Sequence, residues 1–534
     1  MKELKDLPIG VQTFKKMREN NYVYVDKTAH LHRLASKEGV YFLSRPRRFG
    51  KSLMVSTFKE LFEGNRKLFN GLWIEDKWDW SVTRPVIHLS FASMGYKTIG
   101  LEKAIIYELN ELAKQHNITY LSDGFNLQFK ELIQHLYDKH GKVVILIDEY
   151  DKPIIDFLEK GKIAQAKENQ GIMKTFYSVL KDAEAYIQFL FITGVSKFAK
   201  VSIFSDLNHL SDLTLNENYA TAVGYTQEEL ESNFGDHIQD VMEKRKMTRE
   251  SLLDLMKIRY DGFSWDGQNM LYNPFGILNF FENRDFRNYW FATGTPSFLL
   301  KLMKEKKVYE FERQRVNDLF LEKYDLDNLD IVPLLFQTGY LTIKEKDFIT
   351  GYMLLDYPNQ EVKEGMYQFI LDDLSRTPNG TTSHVTVGDL GKAFTDNDLA
   401  WVKLIINTLF SDVPAQLYSS EKEDKRRELI LSERFFHSVI HLIFKYLGIF
   451  INSEVSTSMG RADSVVETET HVYVFEFKYN RSGKAAMTQL IKNNYADKYR
   501  LSGKKRIGIG VNFSHLTRQI NGWQIKDLDV NDEL

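Results

Sequence analysis

The chain has 534 residues, which at roughly 150 residues per domain predicts about three or four domains. Hydrophobic residues make up 43% and charged residues 27%, with 27 Tyr and 37 Phe, so several packed cores are expected and long disorder or a fibrous fold is excluded. There is no cysteine, which excludes disulfides, thiolate metal sites and cysteine nucleophiles, while a net charge of -3 excludes an overall basic coat but not a local basic groove.

The first residues carry no apolar secretory core, and no apolar run approaches the roughly 18 residues of a membrane span, so a cytoplasmic protein without a membrane partner is expected. Residues 40 to about 215 read as an α/β unit. Val40-Tyr41-Phe42-Leu43, the run 86–91, Val143 to Ile147 and Phe189-Leu190-Phe191-Ile192 are short apolar strands with helical patterns between them. Continuous apolar strands alternating with helices predict a parallel sheet buried on both faces. From 216 to 330 the pattern is mostly helical. The alternating runs 339–343 and 351–355 predict a β-hairpin after a helix, the wing of a winged-helix-like module. Residues 360–430 return to helix, with a charge-dense, solvated stretch from Glu421 to Glu428. The last hundred residues predict a helix from Glu433 to Leu447, strands near 449–455, 462–467 and 471–478, a helix over 484–500 and a strand over 505–511. The expected division is 1–215, 216–425 and 426–534.

After the first strand comes Arg45-Pro46-Arg47-Arg48-Phe49-Gly50-Lys51-Ser52. Its second half matches the phosphate loop, Gly-Lys-Ser, and Arg45 stands where that pattern has its first Gly. The loop from Arg45 through Leu53, including Arg47, Arg48 and Phe49, is expected to cradle ATP phosphates on its backbone amides. Lys51 would reach the β- and γ-phosphates and the Ser52 hydroxyl would hold Mg²⁺. The third strand ends Asp148-Glu149-Tyr150-Asp151. Asp148 is expected to bind Mg²⁺ through water, and Glu149 to orient the attacking water. Thr193, at the end of the fourth strand, is a candidate γ-phosphate sensor. Arg47 and Arg48 are both candidates for an arginine finger, with no choice between them.

These segments resemble the bacterial AAA-ATPase-like family. So do Leu7-Pro8-Ile9-Gly10, Tyr22 to Thr28, Thr193 to Phe198, Tyr260-Asp261-Gly262-Phe263, Tyr272-Asn273-Pro274-Phe275 and Tyr289 to Pro296. The resemblance covers about residues 5–300, and Arg is the usual first residue of the loop in that family. It implies an additional-strand P-loop ATPase with a helical or winged-helix lid, and a nuclease-like domain at the C-terminus.

The C-terminal segment carries Asp463 and then Val472-Tyr473-Val474-Phe475-Glu476-Phe477-Lys478. Alternation places Glu476 and Lys478 on one face of a strand, and Asp463 lies at hairpin distance before it. Two carboxylates and a lysine suit phosphodiester cleavage. Asp463 and Glu476 would hold Mg²⁺, or alternatively Mn²⁺, and Lys478 would position or activate water. The order helix, three strands, helix, strand resembles the PD-(D/E)xK nuclease superfamily, with Ala462 in place of the signature Pro. The resemblance implies a further carboxylate from the preceding helix, for which Glu433 is the candidate. It also implies a contact from Gln489 on the following helix, with Tyr495 and Tyr499 nearby in sequence.

His437 and His441, spaced i, i+4, are read as helix packing residues, because no third ligand at zinc spacing accompanies them. Tyr289-Trp290-Phe291 reads as core, Lys504-Lys505-Arg506 as solvated, and Tyr24 and Asp26 as residues bordering a base. The whole chain thus reads as an ATPase that regulates a Mg²⁺-dependent nuclease acting on nucleic acid, DNA before RNA, with a genome-defence role by family analogy alone. The alternative is a nucleotide-switched module that binds nucleic acid or a protein without cutting. The sequence leaves the oligomeric state open.

Overall fold

In a computed structural model, the chain is described for residues 4–159, 161–197, 203–204, 207, 209–293, 297–306, 308–322, 326–374, 387–411, 425–448, 452–455, 463–514, 516–517 and 519–530. The four apolar runs of the N-terminal half form β1 (Gly39–Ser44), β2 (Val86–Ser90), β3 (Val143–Asp148) and β4 (Ile187–Gly194). A two-residue strand, β5 (Ser211–Asp212), pairs with β1 and was too short to stand out from the sequence. The sheet is parallel with order β2-β3-β4-β1-β5. Every residue of β3 is buried, as a strand covered on both faces requires. β4 lies between the strand that enters the phosphate loop and the strand that ends at Asp148, which is the additional-strand arrangement.

Four helices follow the sheet: Gln227–Asn233, Gly235–Arg245, Arg249–Tyr260 and Pro274–Asn283. The first begins with a capping box between Thr226 and Glu229, and the last with Asn273 as cap and Pro274 in its first turn. Their shared core (Leu230, Phe234, Ile238, Leu252, Met256, Ile277, Phe280) also buries Val23 and Val25 from the N-terminal segment. Helix Ile331–Thr338 then leads into the expected hairpin, β7 (Thr342–Lys346) and β8 (Met353–Asp356). β6 (Gln314–Val316) adds an unexpected third strand beside β8.

The C-terminal sheet has order β13-β12-β11-β10-β9. Its strands are β9 (Asn452–Val455), β10 (Ser464–Glu467), β11 (His471–Tyr479), β12 (Lys505–Phe513) and β13 (Ile520–Asp527). β11 and β12 are parallel, joined through helix Gly483–Lys492, and the other pairs are antiparallel. One face of β11 presents Tyr473, Phe475 and Phe477 to Phe394 and Phe444. The other buries Val472 and Val474 with Leu490 and then continues to Glu476 and Lys478. The helix expected to run to 500 stops at Lys492, where Asn494 takes a left-handed conformation (φ 51°) that asparagine tolerates. The helix expected from Glu433 begins at Lys425. Ala462 and residues 421–424 lie outside the described residues.

The expected boundaries at 215 and 425 do not match how the chain packs. It forms one unit from Met1–Leu302 and Phe311–Lys363, and another from Met303–Glu310 and Glu364–Leu534. The lid helices stay with the first unit because they share a core with Val23 and Val25. The segment after 364 joins the second because Tyr473 donates its hydroxyl to the Phe394 carbonyl at 3.0 Å, with Phe394 packed on Phe475. Segment 303–310 also belongs there, with Glu310 3.6 Å from His441 Nδ1.

The helix Gly483–Lys492 touches its sheet backbone to backbone. A Cβ at Gly510 would lie 2.5 Å from the Gly483 carbonyl oxygen and 2.7 Å from the Met487 nitrogen, atoms that cannot move aside alone. Gly510→Ala should therefore destabilise the C-terminal unit by about 2–4 kcal/mol, read as a lower thermal unfolding midpoint for the transition that includes it.

Two candidate catalytic sites

The first site sits where β1, β4 and β3 end. Gly50 (φ 95°) caps helix Lys51–Phe62 in a left-handed conformation, and a Cβ built there would meet nothing within 4 Å. The space beside the helix start is thus open to a ligand. Arg47, Arg48, Gly50, Lys51, Ser52 and Leu53 line a cavity of 320 Å³, together with Glu149, Lys152, Pro274 and Phe275. Lys51 is buried, and its ammonium donates to the carbonyls of Arg45 and Pro46, both at 2.9 Å. Burial lowers its pKa, and the carboxylates of Glu149, Asp148 and Asp151 oppose that shift.

Asp148 is buried at the end of β3, and the Thr193 hydroxyl donates to its Oδ1 at 2.5 Å. Thr193 is itself fully buried, so it acts on the site by orienting Asp148, not by touching a phosphate. Glu149 holds a left-handed backbone (φ 53°), which carries strain for a non-glycine residue and turns it toward the cavity. Ser52 and Asp148 supply hard oxygen donors that suit Mg²⁺.

Arg45, expected among the nucleotide-binding residues, has a different place. It is 0% exposed and does not line the cavity. Its guanidinium donates to the carbonyls of Ser44 and Thr214 at 2.9 Å and of Tyr219 at 3.1 Å, and it lies 4.2 Å from the centre of the Trp265 ring. Burial lowers its pKa to about 9, against the pull of Asp212 and Asp266. Its amide donates to the Gly194 carbonyl, so neither donor set is turned to a phosphate. The Phe49 ring is also core, packed on Phe263 and Trp265. The loop carbonyls meet the lid: Trp290 Nε1 donates to Arg47, Asn273 Nδ2 to Arg48 and the Gly224 amide to Phe49. Trp290, read as core, is therefore also a loop anchor.

Asp151 was quoted in the sequence without a role. Its buried carboxylate accepts the amides of Val195 at 3.0 Å and Ser196 at 2.6 Å, and the Ser196 hydroxyl at 2.7 Å. It thereby fixes the turn after β3 to the turn after β4. Its partner Gly194 has no room for a side chain, since a Cβ would lie 2.5 Å from the Tyr150 ring. A smaller apolar pocket of 70 Å³ adjoins the cavity, lined by Tyr24, Val25, Lys27, Leu53, Met54 and Tyr225 among others. Asp26 is turned away from it and accepts the amides of Thr28 and Trp73.

The second site lies on β10 and β11. Asp463 precedes β10, and its Oδ2 accepts the Phe477 amide at 2.8 Å. Lys478 Nζ is 2.6 Å from Glu476 Oε1. Among the described residues, Glu476 Oε2 is buried without a hydrogen-bond partner. Burial raises the pKa of Glu476, and the negative charge of Asp463 adds to it, while Lys478 opposes both. Burial likewise raises the pKa of Asp463, opposed by the Phe477 amide, Lys478 and His437. A buried, unpartnered carboxylate oxygen beside a second carboxylate fits a divalent cation. His437, read as a packing residue, comes near enough to influence Asp463; its spacing from Glu433, four residues earlier on the same helix, was the signal available in the sequence. Glu433 lies within helix Lys425–Leu447. Gln489 is half-buried on helix Gly483–Lys492, and Tyr495 and Tyr499 pack in the small core around Val472 instead of the site.

Two expectations follow. Arg45→Gly restores the common first residue of the loop, yet it should destabilise the protein by roughly 2–4 kcal/mol in denaturant titration, because three carbonyls lose a charged donor. The raised carboxylate pKa values mean that metal-free stability is fullest below the unfolded pKa values and falls as pH rises through the folded ones. Glu476→Gln should therefore raise the unfolding midpoint of EDTA-treated protein at neutral pH and flatten its dependence on pH.

A family model described as a predicted AAA-ATPase matches residues 8–204, and one for the PD-(D/E)XK nuclease superfamily matches residues 431–523. A protein of Azotobacter chroococcum mcd 1, described as an uncharacterized protein in the vnfD 5' region, is 37% identical over 535 residues, covering 98% of this chain and 99% of that protein. The chain belongs to the family of predicted AAA-ATPases, joined here to a PD-(D/E)XK nuclease superfamily domain.

Proposed function

We propose that the chain binds and hydrolyses ATP at the first site, and that this controls Mg²⁺-dependent cleavage of nucleic acid at the second. The observation that carries the nuclease half is the buried Glu476 oxygen without a partner, beside Asp463 and Lys478. A structural strand would not keep an unpaired carboxylate there at the cost of its desolvation. A non-cutting module leaves that arrangement without a purpose.

At the first site, ATP phosphates would lie along the amides from Arg47 to Leu53, and Lys51 would exchange two loop carbonyls for phosphate oxygens. Ser52 and Asp148 would hold the cation, with Asp148 fixed by Thr193. Glu149 would accept the proton of the attacking water. The base would enter the pocket beside Tyr24, Leu53 and Tyr225. At the second site, Asp463 and Glu476 would hold the cation, and Lys478 would orient water and meet charge developing on the phosphate. A divalent cation, when bound, supplies charge neutralisation for both phosphoryl reactions and raises the acidity of water. Control would begin at the loop carbonyls that Trp290, Asn273 and Gly224 hold, because ATP in the loop repositions them.

The test is cleavage of labelled single- and double-stranded DNA and RNA with Mg²⁺ or Mn²⁺, in ATP, ADP or no nucleotide. Lys478→Ala should lower cleavage by about 100-fold or more while ATP turnover persists. Lys51→Ala should remove ATP binding and the nucleotide dependence of cleavage. Cleavage undiminished in Lys478→Ala would remove the nuclease assignment, and full, nucleotide-independent cleavage in Lys51→Ala would remove the control.

A further inference from the structure

The turn between β7 and β8 displays two large apolar side chains to solvent. Phe348 is 91% exposed and Ile349 92%. Side chains of this kind usually fold down onto a sheet, yet here the backbone is built to hold them out. Asp347 Oδ1 accepts the amides of Ile349 at 2.9 Å and Thr350 at 3.0 Å. The Asp347 amide donates to the Tyr352 carbonyl at 2.8 Å, and the Gly351 amide to the Asp347 carbonyl at 2.9 Å. Gly351 completes the turn with φ +70°. The tip is a braced wedge, in which the Asp347 carboxylate is engaged by its own turn.

The surroundings of the wedge are cationic. Arg315 on β6 lies 4.8 Å from the centre of the Tyr352 ring at the base of the turn. Arg313 and Arg315 are exposed, and Lys346 is half-exposed next to the turn. Against them stands the exposed Glu345. A two-stranded ribbon is narrow enough to enter a nucleic-acid groove, and apolar side chains at such a tip insert between bases while flanking cations meet phosphates. A pocket on a protein would take the same wedge but would gain nothing from the arginines around it.

We propose that the β7–β8 turn is a nucleic-acid contact, in which Phe348 and Ile349 pack against bases and Arg313, Arg315 and Lys346 face the phosphate backbone. The proposal rests on the nuclease reading above, and it assigns substrate engagement to a site that does no chemistry.

The experiment uses the full chain with Lys478→Ala, so that cleavage does not consume the probe, and fluorescence anisotropy with labelled single- and double-stranded DNA and RNA. Phe348→Ala with Ile349→Ala should weaken binding about tenfold or more, with ATP binding and unfolding midpoint unchanged, since both side chains are exposed. Phe348→Trp should retain binding. Arg315→Ala should lower the slope of log affinity against log salt by about one. A 2-aminopurine probe should brighten on binding to the native tip and not to the double variant. Unchanged affinity in the double variant overturns the proposal, leaves the nuclease reading standing, and assigns the tip to a protein partner. Failure of the native-tip chain to bind any of the four nucleic acids, with no cleavage by the unsubstituted protein, overturns both.

Discussion

A buried guanidinium organises the ATPase unit. Arg45 carries a charge in a place without water, and it is tolerated only because three carbonyls and an indole face surround it. Those partners come from the end of β1, from the segment after β5 and from the stretch that follows the third lid helix. The phosphate loop therefore cannot take its shape independently of these regions. The next four residues repeat the logic: Pro46 abuts Gly339, where a Cβ would come within 2.7 Å of its ring, and the carbonyls of Arg47, Arg48 and Phe49 each receive a donor from elsewhere in the unit. Most P-loops use a glycine where this chain uses Arg45, gaining backbone freedom. Here freedom is exchanged for attachment.

The two sites share a construction. In each, a carboxylate at a strand end is held by a neighbour that does no chemistry itself: Thr193 for Asp148, and the Phe477 amide for Asp463. In each, a lysine is kept close to its carboxylates or loop carbonyls in a desolvated setting, where electrostatic interactions are stronger than in water. Each site also depends on close backbone approach at a glycine, Gly194 in one sheet and Gly510 in the other. Precision at the reacting groups comes from these supports.

Much of the architecture could be read from the sequence because parallel strands buried on both faces leave unbroken apolar runs, as in Val143 to Ile147. The alternation of Val472, Val474, Glu476 and Lys478 against Tyr473, Phe475 and Phe477 likewise gave the faces of β11. Hidden features were those set by distant partners. Nothing local in Ser211-Asp212 or in 520–527 announces a strand, because those residues are strands only where β1 and β12 offer an edge. The burial of Arg45 depends on Thr214, Tyr219 and Trp265, far along the chain. Asp151 looked like one more acid after a strand until Val195 and Ser196 came to meet it. The unit boundaries were misplaced for the same reason, since composition is silent about Val23 packing beneath helices that begin two hundred residues later.

The backbone passes between the two units at 302/303, 310/311 and 363/364. No one cut can part them cleanly. A protease acting at 363/364 would release the nuclease sheet but strand Met303–Glu310 on the other side, and with it Glu310, the neighbour of His441. The same holds for inheritance: a single recombination breakpoint cannot carry the nuclease unit intact onto a new ATPase, or exchange one ATPase for another beneath it. The two heads are consequently bound to evolve as one transmissible piece, with changes in either tested against the other in every generation.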